Sequence, residues 1–194
     1  RERNEEYYDE QDNFLNNLTY QMAVNPRHRL TGAAIYQLPF GKGRRFLTDA
    51  NRVVDGIFGG WSLSGLFSFN TGQFLRFGGL LVNGDPSLDA PTKERMFDTT
   101  KFARLPAFTR RTNPFSYDGV KGMRFKNVDL TLAKSFSITE RVKFELRMES
   151  YNAFNNFNGA LPNTTFGNSA FGSITAQQAG YLGRQFQYSG RFSW

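Results

Sequence analysis

The stretch GKGRR at 41–45 has the makings of an anion-binding loop. Its glycines would free backbone N–H groups to face a phosphate, and Arg44 and Arg45 would add charge. The rest of a phosphate-loop spacing is missing and no strong helix pattern follows, so the stretch reads as a glycine-rich connection. The segment NRVVDGIFGG after it is expected to form an amphipathic turn. His28 is the only histidine and there is no cysteine, which leaves neither a thiolate site nor a second imidazole for a transition metal. Asp129, Glu145 and Glu149 invite an acid/base reading. They alternate with Lys143 and Arg147, however, and are better read as cross-strand charges, with Asp129 expected near Arg147. No nucleophile–base pair stands out, so neither enzymatic activity nor a cofactor is expected.

The segment 75–122 is the other chemically suggestive stretch. Lysines and arginines, among them Arg104, Arg110 and Arg111, are interspersed there with phenylalanines. Such a mixture can bind an anionic or aromatic solute or the phosphates of lipopolysaccharide. It can equally be a loop folded over its own rings. The whole chain carries a net charge of +7, and residues 1–12 hold six acids against two arginines, which leaves the remainder more basic still. Nucleic acid, a membrane surface or an acidic ligand would each suit that balance.

The elements that must position these residues show a period of two. HRLTGAAIYQLPF (28–40), WSLSGLFSFNTG (61–72), NVDLTLAKSF (127–136), VKFELRMESYNAF (142–154) and YLGRQFQYSGRFSW (181–194) each alternate apolar and polar residues. This pattern predicts five strands. A usual globular strand has about 5–6 residues, whereas a tilted strand needs about 9–11 to cross a bilayer, and every one of these runs is long enough. The connections alternate as well: SITER (137–141) is a tight turn, whereas 75–122 and 156–180 are long loops, the layout of an outer-membrane barrel. With SITER on the periplasmic side, Phe40, Trp61, Phe136, Phe144, Phe192 and Trp194 fall at one rim, each on the apolar face, as an interfacial aromatic girdle would. Asp129, Lys143, Glu145, Arg147 and Glu149 then face the lumen. The fold class is therefore all-β, an antiparallel meander of about five long transmembrane strands. A water-soluble sandwich with one buried face is the rival architecture. A basic β-domain binding single-stranded nucleic acid is the rival function, but it needs rings interleaved with cations on one open face. Here the rings sit with Leu, Val and Gly instead.

The words RHRLTGAAIYQLPFGKGRRF, GGWSLSGLFSFNTGQF, MFDTTKF and FKNVDLTLAKSFSITERVKFELRMESYNAFN, in this order, resemble the C-terminal end of a TonB-dependent outer-membrane receptor. The similarity is to the Oar-like branch, whose members carry a carboxypeptidase-regulatory-like domain. The resemblance implies the C-terminal part of a 22-stranded barrel, with residues 1–26 as the tail of an extracellular loop and 27–194 as the last five strands. A plug and TonB box, expected in such receptors, are not among these residues. It implies import of a scarce solute across the bacterial outer membrane, with outer-membrane lipid, lipopolysaccharide, the barrel assembly machinery and, through the missing N-terminal part, the TonB complex as partners, and no nucleic acid. A small autonomous pore or adhesin remains the alternative. Gln187, Gly190, Phe192 and Trp194 resemble the assembly signal that ends such chains, with the glycine displaced by one place because Ser189 stands where it is expected.

Overall fold

A computed structural model of the chain describes residues 6–8, 20–22, 26–109 and 116–194. In chain order its strands are β1 (Glu6–Tyr8), β2 (Tyr20–Met22), β3 (Arg29–Gln37), β4 (Trp61–Asn70), β5 (Leu80–Val82), β6 (Phe102–Arg104), β7 (Phe125–Ser137), β8 (Lys143–Tyr151) and β9 (Gln185–Ser193). One short helix, α1 (Arg52–Phe58), lies between β3 and β4. The five long strands form one sheet in the order β3-β4-β7-β8-β9, so long strands that follow one another in the chain are neighbours in space. β7 pairs antiparallel with β8, and β8 with β9. These are the five predicted strands, with ends trimmed for local reasons. β3 stops before Pro39, which has no N–H to give a ladder. β8 stops where Asn152 adopts a φ of 48°, a left-handed geometry that asparagine tolerates better than most residues.

Contacts divide the chain into two compact units. One comprises 30–69, 126–157 and 182–194 and holds the long sheet with α1. Register keeps its side chains sorted. On one face Leu132 lies opposite Met148, Phe136 opposite Phe144, and Phe144 opposite Phe192; on the other, Thr131 faces Glu149 and Glu145 faces Arg191. Gly32 belongs to the apolar face because a Cβ there would sit 2.4 Å from the Phe67 ring, so the ring lies across the glycine. Ile35 and Leu66 are exposed apolar residues of the opposite parity. No second layer covers the apolar face among the described residues. Leu30, Tyr36, Leu146, Phe186, Tyr188 and Phe192 are all exposed, Tyr188 to 73%. A sandwich would bury these side chains, so that architecture is excluded.

The other unit comprises 1–29, 70–125 and 158–181. The chain's apolar core is here: Leu75, Phe77, Leu80, Val82, Met96, Phe97, Phe102, Val120 and Ile174 are buried together. Phe97 is fully buried, with ring centroids 5.0 Å from Phe77 and 5.2 Å from each of Phe102 and Phe171, in edge-on and tilted arrangements that suit aromatic quadrupoles. β5 and β6 pair antiparallel within this unit. Backbone bonds from Met96 N–H to Gly172 O at 2.8 Å and from Ile174 N–H to Lys93 O at 2.7 Å tie the two long loops together. Predicted separately from sequence, these loops are one packed body. Phe97→Ala removes the ring at its centre and should cost this unit about 3–5 kcal/mol. Limited proteolysis and hydrogen exchange should show 75–104 and 166–174 opening while the amides of β7 and β8 keep their protection.

Candidate functional site: an apolar wall and its rim

One end of the wall is lined by rings. Phe136, Phe144 and Phe192 stand in a row across β7, β8 and β9, with centroids 6.2 and 4.5 Å apart. The turn that brings Phe136 and Phe144 together closes through Ile138 N–H to Val142 O at 2.9 Å, with the Thr139 hydroxyl accepting from Val142 N–H. Trp61 opens β4 at the same end, and Phe40 follows β3 with its ring 5.5 Å from Phe46. Trp194, next after β9, is 93% exposed. Gln187 pairs with Glu149, and Gly190 lies opposite Leu146 with Phe144 ring atoms 3.3 Å from where its Cβ would be. A groove of about 440 Å³ runs over the apolar face, lined by Trp61, Leu132, Lys134, Leu146, Met148 and Tyr188 among others.

Lys134 was not foreseen on that face. Its register partner is Leu146, between the Leu132–Met148 and Phe136–Phe144 pairs. Yet it is 5% exposed. Its ammonium donates to Gly59 O at 2.6 Å and to Ile57 O at 3.1 Å, and lies 4.8 Å from the Trp61 ring and 4.9 Å from the Phe136 ring. The carbonyls it reaches are at the end of α1, where a helix has unpaired acceptors and a partial negative charge. The signal was in the sequence, because Lys134 shares the parity of Leu132 and Phe136.

On the polar face, Arg147 is paired with Glu145 on its own strand, and Glu145 also lies 3.5 Å from the Ser135 hydroxyl. Asp129 is not near Arg147. The register places Ala133 opposite Arg147, and Asp129 instead accepts from Asn152 N–H at 2.8 Å at the far end of β8. Asn152 is the knot of that end: its amide nitrogen donates to Asn156 O and Leu182 O, and its oxygen accepts from Asn156 N–H. Lys143 and Glu149 face Ser193 and Gln187.

In the GKGRR loop, Gly41 and Gly43 have positive φ, and the N–H of Lys42 donates to the Asp55 carboxylate at 2.6 Å. The anion this loop cradles is thus a side chain of α1. Thr71 N–H donates to His28 O at 3.0 Å, and the Thr71 hydroxyl accepts from His28 N–H at 3.1 Å. Arg104 is exposed, whereas Arg110 and Arg111 lie outside the described residues. Sequence reasoning also missed a cleft of about 300 Å³ in the loop unit, lined by Asn70, Gln73, Arg124, Asn158, Leu161 and Gln178 among others. Amides offer both donors and acceptors, and Asn158 is buried.

Asp98 in the loop unit carries a carboxyl held below its usual range, chiefly because the Thr100 hydroxyl donates to it at 2.7 Å, with Thr100 N–H and Arg95 adding to this. Burial opposes the shift.

The chain belongs to the outer membrane beta barrel domain family, whose model matches residues 2–187. The long sheet is accordingly barrel wall of a bacterial outer-membrane protein. No curated protein and no solved structure matches the chain.

The Asp98 carboxyl gives a test in the loop unit. A group that is more acidic folded than unfolded contributes fully above its unfolded pKa, near 3.9, and that contribution is lost as pH falls through the lower folded value. Asp98→Asn should therefore weaken the turn at neutral pH and flatten its acid dependence. Hydrogen exchange at Thr100 and Lys101, compared between about pH 5 and pH 2, checks this.

Proposed function

We infer that this chain is the wall and loops of a TonB-dependent transporter of the Oar-like kind, with its five long strands forming part of a 22-stranded barrel that imports a scarce solute. The observation that carries the reading is the uncovered apolar face of a five-strand meander. Hydrocarbon is the environment that satisfies it, because lipid is as apolar as the side chains and the sheet pairs its own backbone. The order of receptor-like words along the chain supports the finer assignment. On this reading the polar face lines the lumen, and the rings at the Trp61 end mark the periplasmic interface. The assembly machinery engages Gln187, Gly190, Phe192 and Trp194, and the outer leaflet supplies lipopolysaccharide to the loops. Energy comes through a plug and the TonB complex, and no catalytic role is assigned. The cleft, lined by Asn70, Gln73 and Gln178 with Arg124 among them, suits a polar solute that carries hydroxyl, amide or carboxylate groups.

Nucleic-acid binding fits less well, since the rings of β7–β9 share their face with Leu, Met and Gly and the charges alternate to the other side. The test uses the full-length protein in its own outer membrane: uptake that collapses when the proton-motive force is dissipated is expected, and passive, energy-independent flux would favour an autonomous pore. The wall itself is tested by Met148→Arg. Placed mid-strand against hydrocarbon, the new charge should cost about 2–4 kcal/mol in vesicle-folded protein titrated with guanidinium. Removing Arg147 from the other face (Arg147→Met) should cost under about 1 kcal/mol.

A further inference from the structure

The connection from β3 to β4 is a built body, and its exposed surface has a composition that the wall reading leaves unexplained. Asn51 caps α1 by accepting from Val53 N–H and Val54 N–H at 3.1 and 2.9 Å. The preceding loop folds back through Phe46 N–H to Pro39 O and Gly41 N–H to Phe46 O, at 2.9 and 3.0 Å. Loop and helix are then locked together without room for side chains. A Cβ on Gly41 would lie 2.7 Å from the Asp55 carboxylate and 2.8 Å from the Gly59 backbone, and one on Gly60 would lie 2.4 Å from Ser135 O. Two side chains of the wall hold the helix end: Trp61, whose indole N–H donates to Ile57 O at 2.9 Å, and Lys134, through its bonds to Ile57 O and Gly59 O.

What this body turns outward is apolar and mostly basic, with Asp49 the one exposed acid against Lys42, Arg44, Arg45 and Arg52. Val53 is 70% exposed, Ile57 56% and Phe58 54%, and Val53 and Ile57, four residues apart, share one side of the helix. Phe46 and Leu47, in the loop before the helix, are exposed as well. Arg44, Arg45 and Arg52 are exposed too, whereas the acid of the helix, Asp55, is turned inward to the Lys42 N–H. Apolar side chains flanked by outward cations, fixed to a strand that faces hydrocarbon, have the chemistry of the headgroup layer.

We propose that α1 and the loop before it form an interfacial anchor that lies in the phospholipid headgroup layer beside the barrel wall, with Val53, Ile57 and Phe58 dipping toward the acyl chains and Lys134 as the residue that positions the helix there. Lys134 thereby has a role that reconciles a charge with the apolar face: its ammonium is spent on helix carbonyls and lies over the Trp61 ring. This rests on the reading of the sheet as membrane wall, and the test separates the two.

These 194 residues hold no cysteine, so single cysteines placed among them can carry nitroxide labels in the full-length protein, with any cysteine elsewhere in it replaced by serine, reconstituted into nanodiscs of phosphatidylethanolamine and phosphatidylglycerol. Collision with oxygen and with a water-soluble nickel chelate reports depth. Labels at Val53→Cys and Ile57→Cys should lie about 5–10 Å below the phosphates, oxygen-accessible and shielded from nickel, while Arg44→Cys remains open to nickel. Adding Lys134→Met should release the helix, so that the Val53 label gains mobility and nickel accessibility. Tyr188→Cys on the open sheet face is the control. If Tyr188 is lipid-exposed but the labels at 53 and 57 are as open to nickel as the one at 44, the anchor is refuted and the wall stands. If Tyr188 is itself open to nickel, the wall reading fails and the anchor with it. A Val53 label that stays at the same depth and mobility in the Lys134→Met protein refutes the role of Lys134.

Discussion

Everything in the long sheet depends on an apolar face that, beyond the end of α1 at Lys134, no other part of the described chain covers. In water such a face would be an aggregation site: Tyr188, Phe192, Phe186, Tyr36 and Leu30 are each more than half exposed, and contiguous apolar patches of that kind are rare on soluble monomers. In a bilayer the same face costs nothing, because the surrounding medium matches it. What the bilayer then demands is that backbone polar groups be paired within the sheet. That requirement explains why β7, β8 and β9 run without interruption through nine or more residues. The low mean hydropathy of the chain follows from the same geometry, since a wall with one lipid face and one wet face needs apolar residues at only every second position.

The loop unit obeys a different rule. It makes a core of its own, and it does so with phenylalanine. Phe77, Phe97, Phe102 and Phe171 interlock at centroid distances of 4.7 to 5.2 Å. Rings bury much area per residue at little entropic cost, which suits a body built from long irregular segments and strands of three residues each, β1, β2, β5 and β6. The abundance of phenylalanine in the sequence therefore has two causes, one in each unit: rings at the rim of the wall, and rings in a core that the loops form together.

The wall was legible in the sequence because period two is a local signal, and each strand reports its own faces without reference to any other. The turn at 137–141 and the placement of Phe136 and Phe144 on the apolar face at one rim followed from the same alternation; their direct pairing is a matter of register. The features that were not legible depend on register or on long-range contact. Asp129 was expected near Arg147, but a shift of pairing by a few residues moves it to the far end of β8, and nothing in the sequence fixes that shift. The joining of 75–104 with 166–174 depends on bonds such as Ile174 N–H to Lys93 O, between residues about eighty positions apart, and no periodicity encodes them. The amide cleft is a product of that joining, so it was hidden for the same reason. Lys134 is an intermediate case. Its parity was readable, but the carbonyls that satisfy it come from a helix more than seventy residues earlier in the chain.

The two outer strands of the sheet carry the last structural consequence. Among the described residues β3 pairs only with β4, and β9 only with β8, so each presents one unpaired edge of nine residues. Long flat edges template pairing with other chains, and the only arrangement that removes them altogether is closure. In β9 every residue is exposed, so this strand draws its order almost wholly from the ladder to β8 and has nothing packed on its other side. A strand in that condition is stable in a membrane only when a second neighbour completes its hydrogen bonds, since hydrocarbon offers no substitute for water. The open sheet is thus incomplete by its own chemistry, and Gln187, Gly190 and Phe192, three of the four residues proposed for the assembly machinery, lie on the strand whose free edge most needs a partner.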